Sequence, residues 1–150
     1  MLIGHGRLLG YAEASSERVL RGHRLLCSNR RLRRGCGRTV SIWLTTIVRR
    51  RVVRTATVLA LFTAIANGTC VSTAWRLASS MTLRTGYRIR LRLAQHGAAI
   101  RTALLSRAPP PRVDSTCADV QLLSHVRAVL GTSGDAFAAY QSMFQEPLLG

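Results

Sequence analysis

The fold is decided by residues 71–96, which read VSTAWRLASSMTLRTGYRIRLRLAQH. Two stretches with apolar residues at helical spacing flank a Ser-Ser-Met turn at 79–81. The first stretch, Val71 to Ala78, predicts a short helix. The second predicts a helix from Leu83 to about His96 that Thr82 can cap and Gly97 breaks, with a further helix over 98–106.

Helical spacing also precedes this pair, from Arg49 to a C-cap at Asn67-Gly68. A long helix, a glycine turn, a short helix, a three-residue turn and an arginine-bearing helix follow the plan of a helix-turn-helix. We therefore predict a helix-turn-helix over 49–107, with Val71 to Ala78 as the support helix and Leu83 to His96 as the recognition helix.

Residues 1–48 have a β character. Two short extended runs, 18–21 and 23–26, are separated at Gly22, and Thr39 to Val48 reads as a strand or as the opening of a helix. The prediction for this part is a small β-hairpin.

The C-terminal third begins with a proline-rich linker over 108–118. Beyond it, residues 119–150 predict two short helices, each beginning with an acidic residue. The predicted fold class is therefore mainly α, with a helix-turn-helix core, a small N-terminal β-hairpin and a short helical C-terminal tail.

The charge is the most unusual property of the chain. It has 22 Lys+Arg against 6 Asp+Glu, a net charge of +16, and all of its cations except the histidines are arginines. No acidic residue lies between Glu17 and Asp114. Codon bias is favoured over selection for arginine itself as the reason for the missing lysine. The physical effect is the same for both, because arginine suits phosphates and guanine edges and a polyanion neutralises it through counterion release.

The predicted recognition helix carries the candidate base-reading residues. Arg84, Arg88 and Arg92 are spaced i, i+4 and i+8 on one face, and with Arg90 they can reach phosphates and base edges. The alternative is a solvated basic helix face. The candidate phosphate-gripping residues are Arg30, Arg31, Arg33, Arg34, Arg49, Arg50 and Arg51.

Trp75 and Tyr87 lie at helical spacing among apolar residues of the same helices. Core packing, with the polar edge satisfied at the rim, is favoured over base stacking for both.

Cysteine and histidine residues form a second group of candidate functional residues: His5, His23, Cys27 and Cys36. Thiolate and imidazole are the usual zinc ligands, and a structural site needs four of them. The alternative is two reduced cysteines without metal. Because the first nine residues lack the apolar core of a signal peptide, we expect a reducing, cytoplasmic setting at the nucleoid, without a disulfide framework.

Catalysis is not expected. Strand transfer or nuclease chemistry needs two or three converging carboxylates to hold divalent metal. The acidic residues here are few and dispersed: Glu13, Glu17, Asp114, Asp119, Asp135 and Glu146. The chain also lacks a phosphate-binding glycine loop of the P-loop kind. We predict that it is not an enzyme.

The stretch from Leu25 to Arg31, together with Gly35-Cys36-Gly37-Arg38-Thr39-Val40-Ser41, resembles the second half of the zinc ribbon at the head of insertion-sequence transposases. The resemblance covers roughly residues 4–107, and it implies a helix-turn-helix behind the ribbon. Only Cys27 and Cys36 match ribbon ligands, and both the first cysteine pair and the acidic catalytic domain are missing. The resemblance therefore implies a recognition module without cutting activity, in which zinc is the one implied cofactor and its site is incomplete.

These observations favour binding of double-stranded DNA by a transposase-like recognition module. The alternatives are a basic RNA-associated or ribosome-associated structural protein, and a degenerate transposase fragment with no maintained function. The longest apolar run, 55–68, is too short to span a bilayer. We therefore expect no membrane partner, although a basic membrane-surface segment is a minor alternative. A second copy of the chain is a further candidate partner.

Overall fold

The computed structural model describes residues 2–11, 13, 16–28, 35–48, 51–132 and 134–149, which form a three-stranded antiparallel sheet followed by five helices. The prediction of a mainly α protein built on a helix-turn-helix core is therefore wrong, because the chain has a mixed α/β fold. The difference arises in the first 43 residues, where the stretches predicted as short β pieces join into long strands.

The sheet has the order β1-β2-β3, in which β1 is Leu2–Tyr11, β2 is Arg18–Cys27 and β3 is Thr39–Trp43. Gly22 does not separate two strands, as predicted, but lies within β2 opposite Trp43. A Cβ atom at Gly22 would lie 2.1 Å from the carbonyl oxygen of Ile42. A glycine at this position is what allows β2 and β3 to approach each other.

Residues 47–48 and 53–54 pair in antiparallel fashion between β3 and the first helix. Ile47 and Arg54 form an isolated bridge, and the Val48 N–H donates to the Val53 carbonyl at 3.0 Å. Ile47, Val48 and Val53 are buried. The helical spacing that begins at Arg49 in the sequence therefore becomes helix only at Thr55, and α1 is Thr55–Ala66.

The next two helices follow the predicted order. Helix α2 is Val71–Ala78, as predicted, whereas α3 is Leu83–Leu105 and continues through Gly97. Gly97 is buried, and a Cβ atom there would lie 3.7 Å from Leu122 Cδ2. The predicted break at Gly97 is wrong, because the helix continues through this residue and another helix packs against α3 there at an ordinary contact distance.

Trp75 fixes the turn between α2 and α3. Its ring is fully buried, and its indole N–H donates to the carbonyls of Met81 and Thr82 at 3.0 and 2.9 Å. The prediction that Trp75 packs in the core with its polar edge satisfied is confirmed.

Helices α4 (Ala118–Leu130) and α5 (Ala136–Phe144) pack against α1 and α3 in one core. Phe62 of α1 and Phe137 of α5 have ring centroids 6.0 Å apart. The core therefore takes residues from both sides of the proline-rich segment. The division of the chain at 48, 107 and 118 into β region, helix-turn-helix, linker and tail stays a sequence prediction.

The last residues of the described chain close this core. Leu148 and Leu149 are buried. The side-chain amide of Gln141 donates to the carbonyls of Thr45 and Ile47 at 2.7 and 3.1 Å, and its oxygen accepts from the Leu148 N–H. One buried side chain thus ties the C-terminal segment to the connection between β3 and α1.

Candidate nucleic-acid interface

The basic face of α3 is created by the packing of its opposite side. The buried positions of the helix form one stripe along its axis: Gly86, Ile89, Leu93, Gly97, Ile100 and Leu104. Arg84, Arg88 and Arg92 fall outside the stripe and are exposed. They make no hydrogen bond or ion pair with any residue that the structure describes, so their charges are available to an external anion.

Arg90 lies apart from the other three arginines. Its guanidinium donates to an Asp119 carboxylate oxygen at 2.5 Å, and the two side chains are 27% and 14% exposed. This ion pair joins α3 to the first turn of α4. The structure therefore brings Arg84, Arg88 and Arg92 together as predicted from their spacing, but places Arg90 in a contact between helices.

Arg51 joins the basic face from another part of the chain. It lines a groove of about 570 Å³ together with Arg88 and Arg92. The apolar floor of the groove includes Val53, Met81, Ile89 and Leu149, and none of its lining residues is acidic. Three arginines from two segments thus converge on one concave surface.

The other predicted phosphate-gripping residues lie outside the described residues: Arg30, Arg31, Arg33, Arg34, Arg49 and Arg50.

Tyr87 and Leu91 lie on the exposed side of α3, and they are 53% and 59% exposed. The prediction that Tyr87 packs in the core is therefore wrong. Tyr87 lies outside the buried stripe of α3 that contains Gly86 and Ile89, so its side chain is exposed to solvent. No role was predicted for Leu91 from the sequence. Its position four residues after Tyr87, between arginines of the same helix, is the sequence signal that indicates an exposed apolar pair.

Cys27 and Cys36 meet at the end of the β2–β3 pair where the two strands are connected, next to the pair formed by Leu26 and Thr39. Gly37, with φ +67°, and Arg38 together lie opposite Cys27 in a bulge, where the Cys27 N–H donates to the Arg38 carbonyl and the Gly37 N–H donates to the Cys27 carbonyl. The Cys36 N–H donates to Cys27 Sγ at 3.4 Å. This backbone hydrogen bond, with a smaller contribution from the Cys36 side chain, lowers the pKa of the Cys27 thiol.

Among the residues that the structure describes, neither histidine of the predicted group joins this cysteine pair as a third or fourth zinc ligand. His23 pairs with Arg7 and Ile42 across the sheet, and His5 lies in the bulge between Gly4 and Gly6. Within the part of the chain that the structure describes, no group of three or more histidine, cysteine and acidic side chains is placed to hold a metal ion. Two thiols supply half of the four ligands that such a site needs.

Glu13, Asp119 and Asp135 have structural contacts. Glu13 accepts from the Thr57 hydroxyl and from the Arg54 N–H, where the sheet meets α1. Asp135 caps α5 by accepting from the backbone N–H groups of Phe137 and Ala138 at 3.1 Å. Asp119, in the first turn of α4, pairs with Arg90 of α3. The prediction that both C-terminal helices begin with an acidic cap holds for α5 but not for α4, whose N-cap is Cys117.

Comparison of the chain with protein-family models, with curated proteins and with solved structures finds no match. None of the helices in the described ranges is both long enough and apolar enough to cross a membrane.

Proposed function

We propose that this protein binds double-stranded DNA through the exposed face of α3. The observation that carries the proposal is the set of three exposed arginines, Arg84, Arg88 and Arg92, none of which forms an ion pair with a residue that the structure describes. Arg51 extends this set across the groove. An α-helix of about 10–12 Å diameter fits a major groove that is about 12 Å wide.

Phosphate contacts supply most of the affinity in this proposal, and the exposed side chains of α3 supply what specificity there is. Arg90 is not part of the contact surface, because Asp119 holds it. The proposal includes a transposase-derived recognition role without catalysis, at the nucleoid in the cytoplasm. Its support is the resemblance around Cys36 to Thr39 together with the exposed basic helix.

A salt titration of binding to a duplex tests the proposal. The logarithm of the binding constant falls with the logarithm of salt concentration with a slope of about −0.9 for each phosphate contact, so four arginines predict a slope of about −3 to −4. The Arg88→Gln/Arg92→Gln variant should lower the affinity and bring the slope about two units closer to zero. The stoichiometry of the shifted complex distinguishes a monomer from a homodimer.

The matched control is Arg112→Gln/Arg127→Gln, which removes the same charge from exposed positions that do not line the groove. Its slope should stay closer to that of the wild type than the slope of the α3 variant does. A wild-type slope near zero would contradict the proposal. Stronger competition by structured RNA than by duplex DNA would favour an RNA-associated role instead.

A further inference from the structure

Tyr87 and Leu91 form an exposed apolar pair on α3. Leu91 lies one helical turn after Tyr87, and the pair is interleaved with Arg84, Arg88 and Arg92. Their side chains are 53% and 59% exposed, and neither belongs to the core. Single exposed apolar residues are ordinary on protein surfaces. Here two large apolar side chains lie on consecutive turns of the helix face that carries the unpaired arginines. This arrangement indicates that the partner of this face presents an apolar group as well as negative charge.

We propose that Tyr87 and Leu91 contact the C5 methyl groups of thymine, so that this face of α3 distinguishes methyl-bearing pyrimidines from others. This inference rests on the proposed binding of duplex DNA. Phosphates give an apolar side chain no favourable interaction, so this pair needs an apolar group on the DNA, and the bases present one in the major groove. The arginines beside it then hold the backbone while the pair faces the base edges.

The dimensions of the helix decide which groove is involved. A helix of about 10–12 Å diameter enters the major groove, which is about 12 Å wide, but not the minor groove, which is about 6 Å wide. The apolar group that a base pair presents in the major groove is the thymine methyl. Four residues advance about 6 Å along a helix, and base pairs rise about 3.4 Å each, so the two side chains meet positions about two base pairs apart.

The experiment compares duplexes that differ only in this methyl group. Dissociation constants are measured at one salt concentration for a duplex of alternating adenine and thymine and for the same duplex with uracil in place of thymine. Wild-type protein should bind the uracil duplex about fourfold more weakly for each methyl group that Tyr87 or Leu91 covers in the thymine duplex. A second pair, alternating guanine with cytosine or with 5-methylcytosine, should show tighter binding to the methylated duplex.

The Tyr87→Ala/Leu91→Ala variant should bind the thymine and uracil duplexes with equal affinity, because both apolar side chains are removed. The matched control is Leu77→Ala/Leu105→Ala, which removes two exposed leucines, 79% and 54% exposed, from other positions on α2 and α3. It should discriminate between the duplexes as the wild type does. Circular dichroism establishes that both variants fold.

The outcomes separate this inference from the proposed function. Equal wild-type affinity for the thymine and uracil duplexes, with a steep dependence on salt, would overturn the methyl contact and leave DNA binding intact. Discrimination that survives in the Tyr87→Ala/Leu91→Ala variant would also overturn it, because another part of the protein would then read the methyl. Absence of binding to any duplex would contradict the proposed function itself, and this inference with it.

Discussion

Gly86 lies where α3 crosses the ring of Trp75. A Cβ atom at Gly86 would lie 2.5 Å from Trp75 Cγ and 2.9 Å from its Cβ, so the clash is with the part of the ring nearest to the α2 backbone. Trp75 is fully buried and has two hydrogen bonds, so it has no free direction in which to move. We expect Gly86→Ala to lower the free energy of unfolding by about 1–3 kcal/mol, measured by urea denaturation.

Gly97→Ala is the matched control on the same helix. A methyl group there meets Leu122 at an ordinary contact distance of 3.7 Å, and alanine favours the helix more than glycine does. This variant should be unchanged or more stable by up to about 1 kcal/mol. Equal destabilisation by both substitutions would contradict the contact between Gly86 and Trp75.

Cys70 is an exposed thiol at the N-cap of α2 with two hydroxyl neighbours. Its sulfur lies 3.3 Å from Ser72 Oγ and 3.2 Å from Thr73 Oγ1, and these hydroxyls lower the pKa of the thiol to about 7. Because the thiolate is the nucleophile, the alkylation rate of Cys70 should rise with pH through a midpoint near 7. Peptide mapping after pulsed iodoacetamide labelling measures this midpoint.

The Ser72→Ala/Thr73→Val variant removes both hydroxyls and should move the Cys70 midpoint to higher pH. Slower labelling of Cys70 at neutral pH is the simplest readout. A midpoint that stays near 7 in this variant would show that the hydroxyls do not stabilise the thiolate.

At the scale of elements, Arg90 is expected to contribute to the stability of the fold and not to the proposed contact with DNA. Its ion pair with Asp119 is partly buried and joins α3 to α4. Arg90→Gln should therefore lower the free energy of unfolding by up to about 1 kcal/mol. Duplex affinity should change less than it does when a groove arginine is replaced, because Arg90 does not face the proposed contact surface.

Thermal denaturation and gel-shift titration on the same preparations test this separation. Arg88→Gln is the matched variant, and it should show the opposite pattern: weaker binding with little change in stability. A larger loss of affinity for Arg90→Gln than for Arg88→Gln would contradict the assignment of Arg90 to the contact between α3 and α4.

The helices were easier to predict from the sequence than the sheet, for physical reasons. Apolar spacing in α2 and α3 is local, so Val71 to Ala78 could be read directly. Two glycines lie inside elements without ending them: Gly22 is required by the close approach of β3, whereas Gly97 lies where α4 packs against α3 at an ordinary contact distance. Such contacts depend on partners distant in sequence, which local patterns do not reveal.

The same limit applies to the candidate site. The spacing of Arg84, Arg88 and Arg92 predicted their common face because all three lie on one helix. The groove that Arg88 and Arg92 share with Arg51 depends on the antiparallel pairing of Ile47 with Arg54. The pairing of Arg90 with Asp119 depends on how α4 packs, and this could not be read from the spacing of the arginines.

At the scale of the whole molecule, the C-terminal helices complete the core. Eight of the 20 buried apolar residues in the described part of the chain follow the proline-rich segment, including Phe137, Leu148 and Leu149. These residues cover the buried sides of α1 and α3, which would otherwise be exposed to water. The stability of α3 therefore depends on residues that the sequence suggested were a tail.

A chain that stops after Arg107 tests this dependence. Without α4 and α5, the side chains of Phe62, Ile100 and Leu104 become exposed to water, so the shortened chain should show no cooperative thermal transition and should bind duplex DNA without the specificity of the full chain. The control is the full chain with Pro110→Ala/Pro111→Ala, which changes only exposed residues of the connecting segment and should keep its transition. Cooperative unfolding of the shortened chain with near-native helix content, measured by circular dichroism, would instead show that residues 1–107 form an independent unit.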